Sequence, residues 1–345
     1  MIKVLIVDDS AFMRQILKKT IEKQDDLEVL DTAANGIKAL STIEENKPDV
    51  IILDIEMPVK NGLETLKEIM NLSNPIPTIM VSAVNNRETV MKALEIGAFD
   101  FIPKPQGSSY ITSLDQINKN LISKIRAAAK MEGNPNTKIK PLTPYKENIS
   151  KSKAKSKFPL VIIGTSSGGP KALKAMLPVF PADFPAAITI VQHMPAGFTA
   201  SLAKRLNHDS CIAVKEAAHH DSLQPGLALL APGDYHMEIN NERKVILNQD
   251  PHKWSVRPSV DYLLSSAAKN YNDKIIGVIL TGMGCDGSEG MKAIKSEGGY
   301  GIVEDKSTAL VYGMPGCTIK AGAYDEILPL HQIPFKIIEL VERGF

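Results

Sequence analysis

Serine, histidine and aspartate, the residue types that acyl transfer needs, stand in three short segments of the second half of the chain: Gly164-Thr165-Ser166-Ser167-Gly168, Val191-Gln192-His193-Met194-Pro195 and Thr281-Gly282-Met283-Gly284-Cys285-Asp286-Gly287. A serine hydroxyl is a weak nucleophile until an imidazole takes its proton, and a carboxylate then fixes the tautomer and stabilises the imidazolium. The first segment fits the G-x-S-x-G elbow that lifts a serine off the tip of a strand, with Ser166 as nucleophile. It equally fits a small-residue turn, or a glycine loop cradling phosphate at a helix N-terminus. Each partner has a plain alternative too: Asp286 as a helix cap, His193 as a satisfied loop histidine. The chain order Ser, His, Asp differs from the Ser, Asp, His order of α/β-hydrolases.

A second constellation lies in the first half: Asp8 and Asp9, Asp54, Ser82 and Lys104. Carboxylates brought together repel unless a hard cation joins them, and oxygen ligands of this kind suit Mg²⁺. A lysine and a hydroxyl beside them would hold the oxygens of a phosphoryl group. Taken singly, each is better explained as a cap or a solvated charge.

The elements that must position these residues follow from apolar periodicity. Ile2 to Val7, Leu27 to Ala33, Val50 to Leu53, Thr78 to Val81 and Phe99 to Ile102 read as strands. Ala11 to Ile21, Gly36 to Glu44, Leu63 to Leu72, Arg87 to Ile96 and Leu114 to Lys130 read as helices between and after them. Such alternation implies a five-stranded, doubly wound parallel sheet whose site lies at the carboxyl ends of the strands, where the second constellation sits. Periodicity vanishes from about Gly133 to Lys157, a flexible basic tether. Beyond it, strands at Leu160 to Ile163, Ala187 to Val191, Leu227 to Leu230, Ile246 to Leu247, Lys274 to Leu280 and Gly301 to Val303 alternate with helices at Lys171 to Leu177, Ser288 to Glu297 and Ile333 to Arg343. A second α/β, mostly parallel sheet is expected. The domains are then 1–125, a helix end and linker over 126–157, and 158–345.

With 345 residues, a hydrophobic fraction of 43%, a charged fraction of 23% and a formal net charge of +1, the chain is expected to be soluble and two-domain, with nothing global to steer it to nucleic acid or an anionic membrane. No apolar run spans a bilayer and the chain enters a strand pattern at Ile2, which points to the cytoplasm. Cys211, Cys285 and Cys317 are an odd number without metal-type spacing, more consistent with reduced thiols than with a disulfide framework. Cys285 is expected to be a small packed residue. His219-His220-Asp221 lack a third ligand at a fitting spacing for metal.

Residues 1 to about 125 resemble a response-regulator receiver domain, on the Asp8-Asp9 pair, Leu53-Asp54-Ile55-Glu56-Met57-Pro58, Ser82 and Phe101-Ile102-Pro103-Lys104-Pro105. The resemblance implies that Asp54 accepts phosphate from a histidine kinase. Asp9, Asp54 and the backbone carbonyl of Glu56 would ligate Mg²⁺, with Asp8 acting through water. Ser82, Lys104 and the aromatic Phe101 would register the phosphoryl group. Residues 158–345 resemble the chemotaxis protein-glutamate methylesterases, which are also protein-glutamine deamidases. Besides the three segments above, Ala231-Pro232-Gly233-Asp234-Tyr235-His236-Met237, Arg257-Pro258-Ser259-Val260-Asp261 and Tyr312-Gly313-Met314-Pro315 carry that likeness. It implies Ser166 as nucleophile, His193 as base and then acid, Asp286 as orienting carboxylate, and the backbone amides of Ser167 and Met283 as oxyanion donors. No cofactor is implied for the ester step.

Departures from the family pattern are Thr165-Ser166-Ser167 where many members have Ala-Ser-Thr, Cys285 where Asn is common, and Val303-Glu304-Asp305 where Ala-Gln-Asp is common. The first makes Ser167 a formal rival to Ser166. The whole then resembles a cytoplasmic, phosphorylation-controlled hydrolase of γ-glutamyl methyl esters on chemoreceptor helices, expected as a monomer, with the unphosphorylated receiver domain covering the catalytic edge. Arg257, Met283 and Tyr312 are candidates to grip the receptor. The alternatives are a response regulator with a DNA- or protein-binding output, against which near-neutral charge and the missing helix-turn-helix pattern argue, and a nucleotide-binding domain on the Gly164 loop, which lacks the P-loop lysine.

Overall fold

The computed structural model describes residues 1–83, 86–104, 110–131 and 157–344, in two compact units, Met1–Lys138 and Ile139–Phe345. The linker expected over 126–157 falls largely outside the described residues.

In the first unit the chain runs β1 (Ile2–Val7), α1 (Ala11–Ile21), β2 (Leu27–Ala33), α2 (Gly36–Asn46), β3 (Val50–Asp54), α3 (Gly62–Met70), β4 (Thr78–Ser82), α4 (Arg87–Ile96), β5 (Asp100–Pro103) and α5 (Tyr110–Ala129). The sheet is parallel in the order β2-β1-β3-β4-β5. Every residue of β3 and β4 is buried, which is why these segments are continuous apolar runs and not alternating ones. Helices α1, α2 and α3 start on side-chain caps: Ser10 Oγ accepts from Met13 N–H, Asn35 from Lys38 N–H, and Asn61 forms a reciprocal capping box with Glu64. Asp8 follows β1, Asp54 and Ser82 end β3 and β4, and Lys104 follows β5. Gly62 lets the return from β3 pass close by, since a Cβ there would lie 2.0 Å from the Asp54 carbonyl oxygen.

The second unit runs β6 (Leu160–Thr165), α6 (Gly169–Met176), β7 (Ala187–Gln192), α7 (Phe198–Asp209), β8 (Ala213–Glu216), β9 (Leu227–Leu230), β10 (His236–Ile239), β11 (Val245–Asn248), α8 (Val260–Asn270), β12 (Ile275–Ile279), α9 (Ser288–Ser296), β13 (Tyr300–Glu304), α10 (Gly313–Lys320), β14 (Glu326–Leu328) and α11 (Ile333–Arg343). Seven parallel strands pair in the order β14-β13-β12-β6-β7-β9-β8, and β10 and β11 form a separate antiparallel hairpin. β6 is central, flanked by β12 with Gly164 opposite Ile279 and by β7 with Gly164 opposite Val191. The segments after β6, β7 and β12 are therefore neighbours at one sheet edge.

Periodicity did not reveal α7, β8, β10, α8, α10 or β14. β8 is an edge strand in which only Val214 is fully buried, so it offers little apolar signal.

The expectation of reduced cysteines is corrected: Cys285 and Cys317 form a disulfide, with Cα atoms 5.2 Å apart, while Cys211 is free and exposed. The N–H groups of Gly313 and Met314 both bond the Gly282 carbonyl, at 3.0 and 2.8 Å, and draw the start of α10 against the turn that holds Cys285. A separation of 32 residues hides that proximity in the sequence.

Candidate functional site

Ser166 leaves the end of β6 held on both sides. Its N–H donates to the Thr281 carbonyl at 3.0 Å, and its carbonyl accepts from Gly169 N–H at 2.8 Å and from Gln192 Nε2 at 2.9 Å. Thr165 Oγ1 also donates to the Thr281 carbonyl, at 2.9 Å. The Gly282 backbone runs past the Ser166 side chain so closely that a Cβ there would lie 2.9 Å from Ser166 Cβ. Ser166 remains half-buried, whereas Ser167 is 4% exposed and its carbonyl accepts from Thr281 Oγ1 at 2.8 Å. Of the rival serines, Ser166 is the one open to solvent. The turn carrying Met283 is set by Gly282, which bonds Val311, Gly313 and Met314 through its backbone. Ser167 lies just ahead of α6, where helix amides converge.

His193 follows β7 and is fixed beside Ser166 by its own N–H, which donates to the Thr165 carbonyl at 3.2 Å. Its Nε2 meets Asp286 Oδ2 at 2.8 Å. Nδ1 is thereby the ring nitrogen left to exchange a proton with a serine.

Asp286 is 1% exposed, yet it is kept ionised. Burial pushes its pKa up, but the His193 bond, the His193 charge and the amides of Asp261 and Val260 outweigh burial, leaving the carboxyl below the ordinary range. Oδ2 accepts from His193 and from Val260 N–H at 2.6 Å, while Oδ1 accepts from Ser259 Oγ at 2.7 Å and Asp261 N–H at 3.0 Å. These donors are the first turn of α8. Ser259 occupies the N-cap position but makes no side-chain bond to its own helix, because Asp286 takes its place as the anion at that helix N-terminus.

Ser259 was not singled out for catalysis from the sequence. Its role rests on a contact with residue 286 that local pattern does not show. Behind it, His236 Nδ1 accepts from Ser259 N–H at 3.2 Å, and its ring stacks on Tyr262 with centroids 3.8 Å apart. Burial lowers the His236 pKa and keeps that nitrogen a neutral acceptor. Ser259→Ala removes one charge-assisted bond to Asp286 and is expected to lower kcat about tenfold, with KM little changed. Steady-state kinetics across the substrate range checks this.

The remaining candidates separate. Arg257 is a clamp within its own domain: it pairs with Asp234 at 2.6 Å and donates to the carbonyls of Gln249 and Asp250 at 2.8 and 3.0 Å. Its fork is committed to the segments of Asp234, Gln249 and Asp250. Tyr312 bridges Gly282 beside the Met283 turn. His219 Nδ1 accepts from Leu247 N–H at 3.0 Å and its ring lies 3.9 Å from that of His220, a packing role for the pair.

In the first unit, ligand oxygens of Asp8, Asp9 and Asp54 lie within 4.8 Å of one another, the one such cluster of metal-binding type among the described residues. Lys104 Nζ lies 2.7 Å from Asp54 Oδ2 and 3.1 Å from Asp8 Oδ2. Asp8 Oδ2 is sealed from solvent, with Lys104 as its counter-charge. Three carboxylates gathered about one lysine leave an excess of negative charge on oxygen ligands, which a hard divalent cation would satisfy, so these residues fit Mg²⁺. Burial raises the Asp54 pKa to about 6, against the pull of Lys104 and with a push from Asp8. Glu56 lines an open cavity together with Asp9, Met57, Asn61, Asn86 and Thr89, and its N–H bonds the Asp54 carboxyl. Ser82 is buried and donates to the Ala83 carbonyl at 3.0 Å. Phe101 is 3% exposed, in the inward position, under Lys124 Nζ at 5.7 Å.

The CheB methylesterase family matches residues 161–337, and the response regulator receiver domain family matches residues 4–114. A protein-glutamate methylesterase/protein-glutamine glutaminase of Clostridium acetobutylicum is 41% identical over 99% of this chain and 98% of its own length. One of Thermotoga maritima is 44% identical, over 99% and 98% respectively. The crystal structure of the Thermotoga maritima CheB methylesterase catalytic domain, 46% identical, aligns over 54% of this chain and 100% of that chain with a TM-score of 0.52.

Proposed function

From the premise that the chain belongs to the CheB methylesterase family and carries a response-regulator receiver domain ahead of the catalytic one, we propose that it hydrolyses glutamate γ-methyl esters on chemoreceptors and deamidates receptor glutamines, by an acyl-enzyme route under phosphorylation control. The observation that carries the reading is Asp286, ionised against a helix N-terminus and bonded to His193, at the sheet edge where half-buried Ser166 sits.

Ser166 Oγ attacks the side-chain carbonyl while His193 Nδ1 takes its proton. Charge forming on the carbonyl oxygen is met by the amides of Ser167 and Met283. The tetrahedral carbon collapses, and methanol, or ammonia from glutamine, leaves with the proton from His193. Water, deprotonated by the same imidazole, then adds to the acyl carbon and expels Ser166 Oγ, which recovers the proton. Ester and water have become acid and methanol, and no cofactor enters. Asp286 holds the imidazole in one tautomer throughout. The substrate surface is the cytoplasmic helices of receptors, which places the work in the cytoplasm. Methylated receptor membranes should release methanol, and glutamine-bearing receptors ammonia, on adding the protein. Release of neither sinks the proposal.

Control is assigned to the first domain. Asp54 is the phosphoacceptor for a chemotaxis histidine kinase; Asp8, Asp9, Asp54 and the Glu56 carbonyl are the set that would hold Mg²⁺, which when bound offsets charge on the phosphoryl oxygens. Lys104 and Ser82 then take phosphoryl oxygens, and Phe101 follows. Asp54→Asn should abolish both hydroxylamine-labile labelling by a small phosphodonor and donor stimulation of methanol release.

The same residue gives a stability signature. Its pKa is raised from 3.8 to about 6, so the protonated form is favoured by the fold. That contribution is complete below pH 3.8, lost as pH rises through 6, and worth about 3 kcal/mol. In metal-free protein, Asp54→Asn should therefore raise the melting temperature of the receiver domain at pH 7.5 and not at pH 3.5, by calorimetry.

A further inference from the structure

Thr281 is the residue through which the turn bearing Met283 is joined to the nucleophile. Its carbonyl holds Ser166 N–H and Thr165 Oγ1, and its hydroxyl donates to the Ser167 carbonyl while accepting from Val311 N–H at 2.9 Å. Its own N–H donates to Glu304 Oε2 at 2.7 Å. Glu304 ends β13 and is 0% exposed. The Thr308 hydroxyl nearby faces the Asp305 carbonyl and takes Leu330 N–H at 2.9 Å, and Glu304 Oε1 is sealed from solvent. No step of the ester chemistry above uses this carboxyl.

We infer that Glu304 is a positioning residue for the hydrolytic reaction: its buried carboxyl holds the Thr281 amide, and through Thr281 it sets the Met283 turn against Ser166. The inference rests on the acyl-enzyme reading of Ser166. A carboxyl sealed from solvent, with neutral donors and no cation beside it, is better accommodated neutral than charged. Burial pushes the Glu304 pKa up to about 7, against the Thr281 amide and the Thr308 side chain, with Asp305 adding to the rise. Charges on the surrounding elements are engaged elsewhere: on β14, Glu326 pairs with Lys336; ahead of it, Asp325 pairs with Lys295; beyond the turn, Asp286 is bonded to His193; and Lys320 lies in the last turn of α10. No cation among the described residues compensates an ionised Glu304, so the cost of a buried charge, which the Thr281 amide only partly offsets, favours turning the carboxyl out of its site, and the rate falls on the alkaline side.

The experiment is kcat and KM for methanol release between pH 5.5 and 9 in wild type, Glu304→Gln and Glu304→Leu, with Ser166→Ala as a parallel arm and melting curves for all. The Gln variant keeps an acceptor for Thr281 N–H and cannot ionise. It should hold kcat at pH 6.5 within about twofold and lose the alkaline fall. The Leu variant removes the acceptor and should lose about tenfold in kcat at unchanged KM. An alkaline limb that persists unchanged in Glu304→Gln overturns the inference, as does a folded Glu304→Leu with wild-type kcat. If Glu304→Leu does not fold, the Gln profile alone decides. Full activity in Ser166→Ala would instead remove the acyl-enzyme reading.

Discussion

Ser166→Ala is expected to lower methanol release from methylated receptor membranes by about 10⁵- to 10⁶-fold, the loss met when the nucleophile of a serine triad is deleted. The size follows from the acyl-enzyme itself. Without Oγ there is no intermediate to divide the reaction, and what remains is water attacking a substrate held by the oxyanion amides alone. Ser167→Ala is the informative control. The proposed contribution of Ser167 is its backbone N–H, which alanine retains, and its side chain lies in a residue only 4% exposed, so activity should stay within about threefold. The reverse pattern would transfer the nucleophile to Ser167 and undo the reading of the strand end. A comparable residual rate in both variants would show that neither forms the ester intermediate.

Asp286→Asn carries the second large effect, about 10⁴-fold in kcat, with a stability change besides. Four donors converge on this carboxylate: His193 Nε2, Ser259 Oγ, and the amides of Val260 and Asp261. A carboxamide has one oxygen, so its NH₂ must face donors. The imidazole then loses its fixed tautomer, and a helix N-terminus loses its anion, at a cost of about 2 to 4 kcal/mol. The sign with pH is distinctive. The Asp286 pKa lies below 3.8, so its contribution is present above pH 3.8 and lost as pH falls through the folded-state value. The gap in melting temperature between wild type and Asp286→Asn should thus be wide at pH 7 and narrow in acid. A variant with normal kcat, or one equally destabilised at every pH, would contradict this account of the carboxylate.

How much of this could be read from the chain differs by kind of contact. The five strands of the first unit were legible because β3 and β4 are buried on both faces and must be apolar throughout. The residues at the strand ends were legible with them, since a parallel sheet presents its carboxyl edge as one surface. Helix α8 was not, although it supplies the groups that hold Asp286. Its N-terminal signal, Ser259, is spent on a residue 27 positions away, so the expected capping pattern is missing. The Glu304 bond to the Thr281 amide and the Cys285–Cys317 bridge were hidden for the same reason: they join segments that only the sheet order brings together.

The pairing of β6 with β12 also bears on how the enzyme comes into being. Thr165 reaches the Thr281 carbonyl across 116 residues of chain, one of the longest closures in the second unit. Contacts of such separation form late, after the loop-closing entropy between them has been met by other structure. A growing polypeptide that has already exposed Ser166 and His193 therefore lacks both the turn against Ser166 and the carboxylate behind His193. On the proposed triad, esterase activity can appear only when β12 inserts, so a ribosome-bound chain ending before residue 280 should be inert, with Ser166 not armed on a half-made protein.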